Sequence, residues 1–391
     1  MGHSHFAFAF FVIFFGASVL ATLALYTRQS LLVAYLILGI IVGPFGLKLI
    51  SQTQVIGEIS NVGIMFLLFL LGLNMQPRNL FTMLRGATIV TLSSCLIFGL
   101  VSLFICHALG LSWGDSLMVG VAMMFSSTII GLKLLPTTAL HHQRIGEVMV
   151  SILLMQDIVA ILVLMVLGIT GVASDHGSIY QVLRTLVALP IVIALAYFAE
   201  RYVLHKLFRR FNRVQEYLFL VAIGWCLALA QLADALGISY EIGAFIAGVS
   251  LAASPISQFI AESLKPLRDF FLVVFFFSVG AVFNFHLLPQ VWLPVLVLTV
   301  VILLLKPATF LGLLRTVDES KRRAWQVGMR LGQASEFSLL VAFLAYQAKF
   351  ISQQGYITIQ AVTILTFIVS SYLVVFFYPS PMSLKPAMRR D

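Results

Sequence analysis

Long apolar runs separated by short polar breaks occupy almost the whole chain. An α-helix needs about 20 apolar residues to cross a hydrocarbon core of about 30 Å, and these runs have that length. They are continuous rather than alternating with period two, so the strand pattern of an outer-membrane barrel is excluded. The pattern predicts about thirteen transmembrane helices, near residues 6–26, 31–49, 55–74, 86–110, 114–136, 145–171, 182–206, 214–236, 240–254, 266–284, 289–315, 322–348 and 357–378.

Composition supports an all-α polytopic membrane protein. Hydrophobic residues make up 61% of the chain and charged residues only 10%, whereas soluble domains are about 45–50% apolar. The net charge of +9 does not indicate nucleic acid, because the basic residues collect in loops on one membrane face. Cys95, Cys106 and Cys226 lie inside apolar runs, so no disulfide framework is expected.

Loop charges predict the orientation. With the N-terminus outside, 19 of the 24 Lys and Arg residues fall on the inner side, three fall outside and two lie within spans. Cytoplasmic loops carry such an excess of positive charge. The chain is therefore expected in the cell inner (plasma) membrane, with the C-terminus cytoplasmic.

Short motifs recur between the two halves. GIIVG at 39–43 resembles GAFIAG at 243–248, and FLLGLN at 69–74 resembles FSVGAVFN at 277–284. The offset is seven spans, an odd number, so the halves would have opposite orientations. Inverted repeats of this kind are typical of secondary transporters. Chance recurrence of Gly and Phe in membrane helices is the alternative for matches this short.

The fifth and twelfth spans pair under this repeat, and both contain a polar interruption at mid-depth. The fifth carries Ser126, Ser127 and Thr128, and the twelfth carries GQASE at 332–336. Hydroxyl groups and glycine can support a broken helix where it lines a cavity. The sequence predicts two crossing discontinuous helices, although such residues also occur simply as close-packing positions.

Asp157 lies near the middle of the sixth span. A lone Asp at a helix centre costs about 2.5–3.5 kcal/mol on insertion scales, so it needs a partner, a proton, a cavity or a bound cation. Gln156 is its neutral neighbour. The expected partner is Lys306, near the middle of the eleventh span and next to Pro307. A purely structural ion pair is the alternative.

Glu336 and Arg330 form a second pair of candidates in the twelfth span. Being six residues apart, they do not share a helix face. Glu336 is expected to brace the crossing through Lys306 or Arg330 rather than to carry an ion.

Several motifs together resemble the Kef-type branch of the monovalent cation:proton antiporters, the cation:proton antiporter-2 family, over essentially the whole chain. The motifs are QD at 156–157, SST at 126–128, GAFIAG at 243–248, FFSVG at 276–280 and QASEF at 333–337. This resemblance implies a sodium/proton antiporter-like fold and a dimer with an elevator-like core. It implies that Asp157 alternately carries cation and proton, with Gln156 beside it, 126–128 helping to bind the ion, and Lys306 as the core lysine.

The implied division places core helices near 86–171 and 289–378, dimerisation or scaffold helices near 6–74 and 182–284, and a short cytoplasmic tail at 379–391. No Gly-rich dinucleotide fingerprint follows the last span, so no cofactor and no regulation by NAD or glutathione adducts are expected. Ala334 replaces a glycine that is frequent in related sequences.

The predicted function is exchange of K⁺, or less favourably Na⁺, for H⁺ through a single midplane carboxylate, by a homodimer that a separate regulatory subunit could accompany. The first rival is a cation channel or uniporter in which Asp157 is a fixed pore charge. An intramembrane enzyme is not expected, because no Ser/His or metal-ligand set occurs at depth.

Overall fold

The computed structural model of the protein describes residues 2–50, 53–74, 77–133, 144–174, 179–211, 214–252, 254 and 257–378, and these contain helices and no strand. A π-helix, Glu200–Leu204, joins the α-helices Ile179–Ala199 and His205–Phe211, and a 3₁₀-helix, Phe285–Leu287, precedes the α-helix Leu288–Arg315. The α-helices are α1 (Gly2–Tyr26), α2 (Leu31–Val42), α3 (Thr53–Asn74), α4 (Pro77–Ala108), α5 (Trp113–Met123), α6 (Thr128–Lys133), α7 (Arg144–Ser174), α8 (Ile179–Ala199), α9 (His205–Phe211), α10 (Gln215–Ala235), α11 (Tyr240–Ala252), α12 (Ser257–Ser263), α13 (Lys265–Ala281), α14 (Leu288–Arg315), α15 (Lys321–Arg330), α16 (Glu336–Gln347) and α17 (Gln353–Phe377).

Within these described ranges, seven helices are long and apolar enough to cross a membrane. Each of the thirteen predicted spans contains at least one observed helix. The fifth and twelfth spans are each broken into two helices, α5 with α6 and α15 with α16. The predicted all-α membrane fold with two discontinuous helices is confirmed.

The chain packs as two compact units. The first unit comprises Met1–Ile50, Thr82–Leu164 and Val279–Asp391, and the second comprises Ser51–Phe81 and Met165–Ser278. Both broken helices and Asp157 belong to the first unit. The division into core and dimerisation helices concerns motion and assembly, and it stays a prediction.

In the second unit, glycines bring the backbones of α3 and α11 together. A Cβ atom at Gly248 would collide with the carbonyl oxygen of Phe69, and one at Gly72 would lie 2.9 Å from the backbone nitrogen of Val249. Apolar surface does not drive helix association within lipid, so close packing of small residues carries much of it.

In the first unit, the matching motifs bring α2 and the end of α13 together. A Cβ atom at Gly280 would collide with the carbonyl oxygen of Leu36, and one at Gly43 would lie 2.8 Å from the Cα atom of Ala281. The second span thus packs on the tenth as the ninth packs on the third. This reciprocal contact supports the inverted repeat that the short motifs predict.

Asp115 joins the starts of two helices in the first unit. Its carboxylate is buried and accepts hydrogen bonds from the Ser112 hydroxyl (2.8 Å), the Ser352 backbone N–H (2.7 Å) and the Ser352 hydroxyl (2.8 Å). Ser112 is the N-cap of α5 and Ser352 is the N-cap of α17. A carboxylate is favourable here because unpaired N–H groups give each helix start a partial positive charge.

Gly248→Ala should lower the free energy of unfolding by about 1–3 kcal/mol, the usual cost of overpacking, because the new methyl group would displace the backbone of α3. Thermal melting in detergent measures this effect. Gly224→Ala in α10 is the matched control, since nothing lies within 4 Å of a Cβ atom there. Equal melting temperatures for the two variants would contradict the proposed packing.

Candidate functional site

The first helix break is supported by the Gln156 side chain. Between α5 and α6 the backbone loses its helical partners at residues that are buried inside the protein, Phe125, Ser126 and Ser127. Backbone groups at a helix break in a membrane protein need partners within the protein. The Gln156 side-chain oxygen accepts from the Ser126 backbone N–H at 3.1 Å, and its NH₂ group lies 3.5 Å from the Met124 carbonyl oxygen. A side-chain amide has the same donor and acceptor as a peptide group, so Gln156 substitutes for missing backbone partners.

Ser127 begins the second half of this broken helix. Its hydroxyl oxygen accepts from the Ile130 backbone N–H at 3.1 Å, as an N-cap serine does. The next residue, Thr128, directs its hydroxyl group to the Asp157 carboxylate at 3.3 Å. The three predicted residues therefore differ in their contacts, and only Thr128 bonds directly to Asp157.

The second break, between α15 and α16, is supported by serine and threonine side chains. Ser335 and Ser338 form a capping box at the start of α16. The Ala334 backbone N–H donates to the Thr366 hydroxyl oxygen of α17 at 3.2 Å, and the Ser370 hydroxyl donates to the Gln333 side-chain oxygen at 2.9 Å. The next helix after α16, α17, thus also holds the second break in place.

Hydrogen bonds connect the two breaks directly. Each runs from a side chain of one broken helix to a carbonyl oxygen of the other, so the crossing is cross-linked in both directions. They join the Ser126 hydroxyl to Leu331 O (2.9 Å), the Gln333 amide to Ser127 O (3.5 Å) and the Ser338 hydroxyl to Ala122 O (2.5 Å).

Lys306 is completely buried and also binds both breaks. Its ammonium group donates to the Phe125 carbonyl, to the Ser126 hydroxyl at 3.2 Å and to the Gln333 carbonyl at 2.9 Å. The ammonium also lies 5.2 Å from the centre of the Phe98 ring, a cation–π distance. An ammonium has three donors, and here all three have an oxygen acceptor.

Helix polarity explains this placement. The carbonyl ends of α5 and α15 carry partial negative charge, and the N–H ends of α6 and α16 carry partial positive charge. Lys306 lies against carbonyls that follow α5 and α15. Asp157 bonds to the first residue of α6, and Glu336 is the first residue of α16. The basic and acidic side chains therefore match the helix ends next to them.

Asp157 has few contacts for a buried acid. Its side chain is 5% exposed, and the Thr128 hydroxyl is its one hydrogen-bond donor among the described residues. The direct Lys306–Asp157 ion pair that the sequence predicts is not formed. The reason is that the breaks leave three oxygens which use all the ammonium donors.

Glu336 and Arg330 occupy the two ends of the second break. Glu336 is buried and close enough to Asp157 for the two carboxylates to repel each other. None of the three Lys306 acceptors is a carboxylate, so the expected bracing of Glu336 by Lys306 is not formed. The Arg330 guanidinium lies over the Tyr378 ring, 5.2 Å from its centre.

Sequence reasoning missed the contribution of α17 to the site. Thr366 and Ser370 are fully buried and bond to the second break. Their signal was present, because both belong to a set of polar residues that interrupts the apolar span, together with Thr358, Gln360, Thr363 and Ser371. Hydroxyl groups in membrane helices commonly bond across to neighbouring helices.

Comparison with known proteins gives a consistent result across most of the chain. A family model described as "Sodium/hydrogen exchanger, transmembrane" matches residues 9–378. The glutathione-regulated potassium-efflux system protein KefC of Cronobacter sakazakii is 29% identical over 85% of this chain and 54% of its own length. K(+) efflux antiporter 5 of Arabidopsis thaliana is 28% identical over 92% of this chain and 64% of its own length. The chain therefore spans between half and two thirds of these relatives.

A solved structure shares the fold. The sodium proton antiporter MjNhaP1 from Methanocaldococcus jannaschii, at pH 8, matches 95% of this chain and 96% of its own, with a TM-score of 0.66 and 19% sequence identity. The sodium/proton antiporter-like fold that the motif resemblance implies is confirmed, and so is the resemblance to Kef-type proteins.

Lys306→Met should lower the free energy of unfolding by at least about 2 kcal/mol, because it leaves up to three buried acceptors unpaired and each such group costs about 1–3 kcal/mol. Unfolding in detergent measures the loss. The matched test is a double-mutant cycle with Asp157→Asn. Since Lys306 does not bond to Asp157, the coupling free energy should stay well below the loss of about 3–5 kcal/mol that follows removal of one partner of a buried ion pair. A coupling of that size would show that the two charges pair directly.

Proposed function

Because the chain belongs to the sodium/hydrogen exchanger transmembrane family, we propose that it exchanges a monovalent cation for H⁺ through Asp157. The observation that carries this proposal is a buried carboxylate with a hydroxyl donor and no cationic partner among the described residues. A charge at this depth that the protein itself leaves uncompensated requires an exchangeable occupant.

Competition for one carboxylate produces exchange. A bare Asp157 carboxylate would be costly in the apolar interior, and the nearby Glu336 increases that cost by repulsion. A proton or a dehydrated cation removes the cost, but one carboxylate cannot hold both. The Thr128 hydroxyl lies beside the Asp157 carboxylate, and its oxygen carries lone pairs. It could therefore be the second oxygen ligand of a cation bound to Asp157.

The contacts of Lys306 favour exchange of one cation for one proton. If Lys306 released a proton when a cation bound, one of its three oxygen acceptors would lose its donor inside the protein. That loss is costly, so Lys306 should keep its charge in both states. Asp157 then alone changes its occupant, and each cycle moves no net charge.

K⁺ is the favoured cation and Na⁺ the second choice. The names of the two relatives, KefC and K(+) efflux antiporter 5, both concern potassium. Oxygen ligands that replace a hydration shell can serve either ion, so the relatives rather than the local chemistry support the order of preference.

Alternating access by an elevator movement fits the cross-linked crossing. Hydrogen bonds tie both breaks, Lys306 and α17 together within the first unit, so these parts would move as one body. We propose a homodimer with the N-terminus outside and the C-terminus cytoplasmic, with a separate regulatory subunit as a further partner.

Purified protein in liposomes should dissipate an imposed pH gradient when K⁺ is added, as reported by a pH-sensitive dye. Asp157→Asn should reduce the rate to that of empty liposomes, because an amide holds neither a proton nor a cation at this position. Na⁺ and Li⁺, added in turn, establish the order of selectivity. Equal rates for wild type and Asp157→Asn would contradict the proposal.

The same liposomes distinguish exchange from the channel rival. One-for-one exchange should give no steady current under an imposed membrane potential, whereas a channel with Asp157 as a fixed pore charge should pass cation current without a pH gradient. A sustained cation current that persists without proton movement would favour the channel.

Thr128→Val should raise the cation concentration for half-maximal exchange several-fold, since it removes one oxygen next to Asp157 while keeping side-chain volume. Thr128→Ser retains the hydroxyl group and is the matched control. A titration with K⁺ measures both. If Val and Ser variants have the same apparent affinity, the Thr128 oxygen does not bind the ion.

A further inference from the structure

One face of α17 carries a row of buried polar side chains that the proposed exchange does not use. Tyr356, Gln360 and Thr363 follow one another at spacings of four and three residues, which places them on one side of the helix. Tyr356 and Gln360 are 1% exposed and Thr363 is 0% exposed. We call these three residues the α17 polar row.

Each member of the α17 polar row has a buried polar atom without a hydrogen-bond partner among the described residues. The atoms are the Tyr356 hydroxyl, the side-chain oxygen of Gln360 and the Thr363 hydroxyl. The amide nitrogen of Gln360 does have a partner, because it donates to the Val279 carbonyl at 2.8 Å. Gln360 is therefore held in a fixed orientation with its oxygen still available.

Two other buried hydroxyl groups of α17 do form hydrogen bonds, in both cases to backbone carbonyls of the same helix. The Thr358 hydroxyl donates to the Gln354 carbonyl at 2.8 Å, and the Thr366 hydroxyl donates to the Thr363 carbonyl at 3.0 Å. An unpaired buried polar group costs about 1–3 kcal/mol. Three of them in one row indicate a ligand that pairs with all three, and a water molecule, which makes two to four hydrogen bonds, has that chemistry.

The α17 polar row runs from the first turn of α17 toward the second helix break. Tyr356 lies in the first turn of α17 and its ring stacks on the ring of Tyr346, at 4.8 Å between centres; Tyr346 is 36% exposed. At ~1.5 Å per residue, Tyr356 to Thr366 spans roughly 15 Å, half of a bilayer core. Thr366, three residues beyond Thr363, accepts from Ala334 N–H, so the row is followed on α17 by a residue that bonds to the second helix break.

We propose that Tyr356, Gln360 and Thr363 line a file of ordered water molecules that conducts protons between one membrane surface and the crossing. This inference rests on the proposed exchange, because it supplies the proton that competes for Asp157. Hydroxyl groups donate and accept at once, so a proton that enters the file at Tyr356 is matched by one that leaves it at the second break. Water is the bound ligand and no other reactant is required.

Hydroxyl-radical labelling of the whole protein, read by mass spectrometry, tests the water file without any transport measurement. Radicals formed from bound water oxidise the side chains beside it. Tyr356 should be modified at least about tenfold faster than Phe367, which is fully buried on the same helix, and within about tenfold of Tyr346. Modification of Tyr356 no faster than Phe367 would overturn the proposal.

Transport by matched variants tests the proton role. Thr363→Val removes the hydroxyl group and should slow K⁺-driven proton movement at least about fivefold, whereas Thr363→Ser should restore most of the rate. Thr358→Val is the control, because among the described residues that buried hydroxyl bonds only to its own helix, and its loss should leave the rate unchanged. Melting temperatures of all variants show whether each one folds.

The outcomes separate the two proposals. Rapid labelling of Tyr356 together with slow exchange by Thr363→Val supports the proton path. Rapid labelling with an unchanged rate in Thr363→Val overturns the proton role of the file. If wild type exchanges no cation for protons at all, the proposed function fails, and the labelling of Tyr356 still decides whether the file exists.

Discussion

The site depends on one constraint, which is that a backbone broken at bilayer mid-depth must find its hydrogen-bond partners inside the protein. Two helices stop and restart there. Their unpaired backbone groups form hydrogen bonds with Gln156, with Lys306 and with hydroxyl groups of α16 and α17. Most of these bonds cross from one broken helix to another element. The same bonds that satisfy the backbone therefore fix the geometry of the crossing.

This constraint separates the ionisable side chains into two groups. Lys306 is saturated by oxygens of the breaks, so it acts as part of the scaffold. Asp157 accepts a hydrogen bond from one hydroxyl group and is repelled by a second acid, Glu336. Among the described residues, no positive charge compensates its carboxylate. In the exchange proposed above, Lys306 would keep its contacts while Asp157 changes its occupant.

Much of the fold could be predicted because its determinants are local in sequence. Span length follows from apolar runs, and the breaks follow from hydroxyl residues at matching depths. The pairing of Lys306 with Asp157 was wrong for a physical reason: sequence shows which charges lie at similar depth, but not how many carbonyl groups a break leaves nearby. Thr366 and Ser370 were missed because hydroxyl residues in helices usually bond to their own backbone, and only the folded chain shows that these two reach another helix.

The buried Asp115 carboxylate has a mechanical consequence for the first unit. It holds the starts of α5 and α17 to a common point, and these are the helices that lead to the first break and carry the α17 polar row. Neither helix can tilt or slide at that end without dragging the other along.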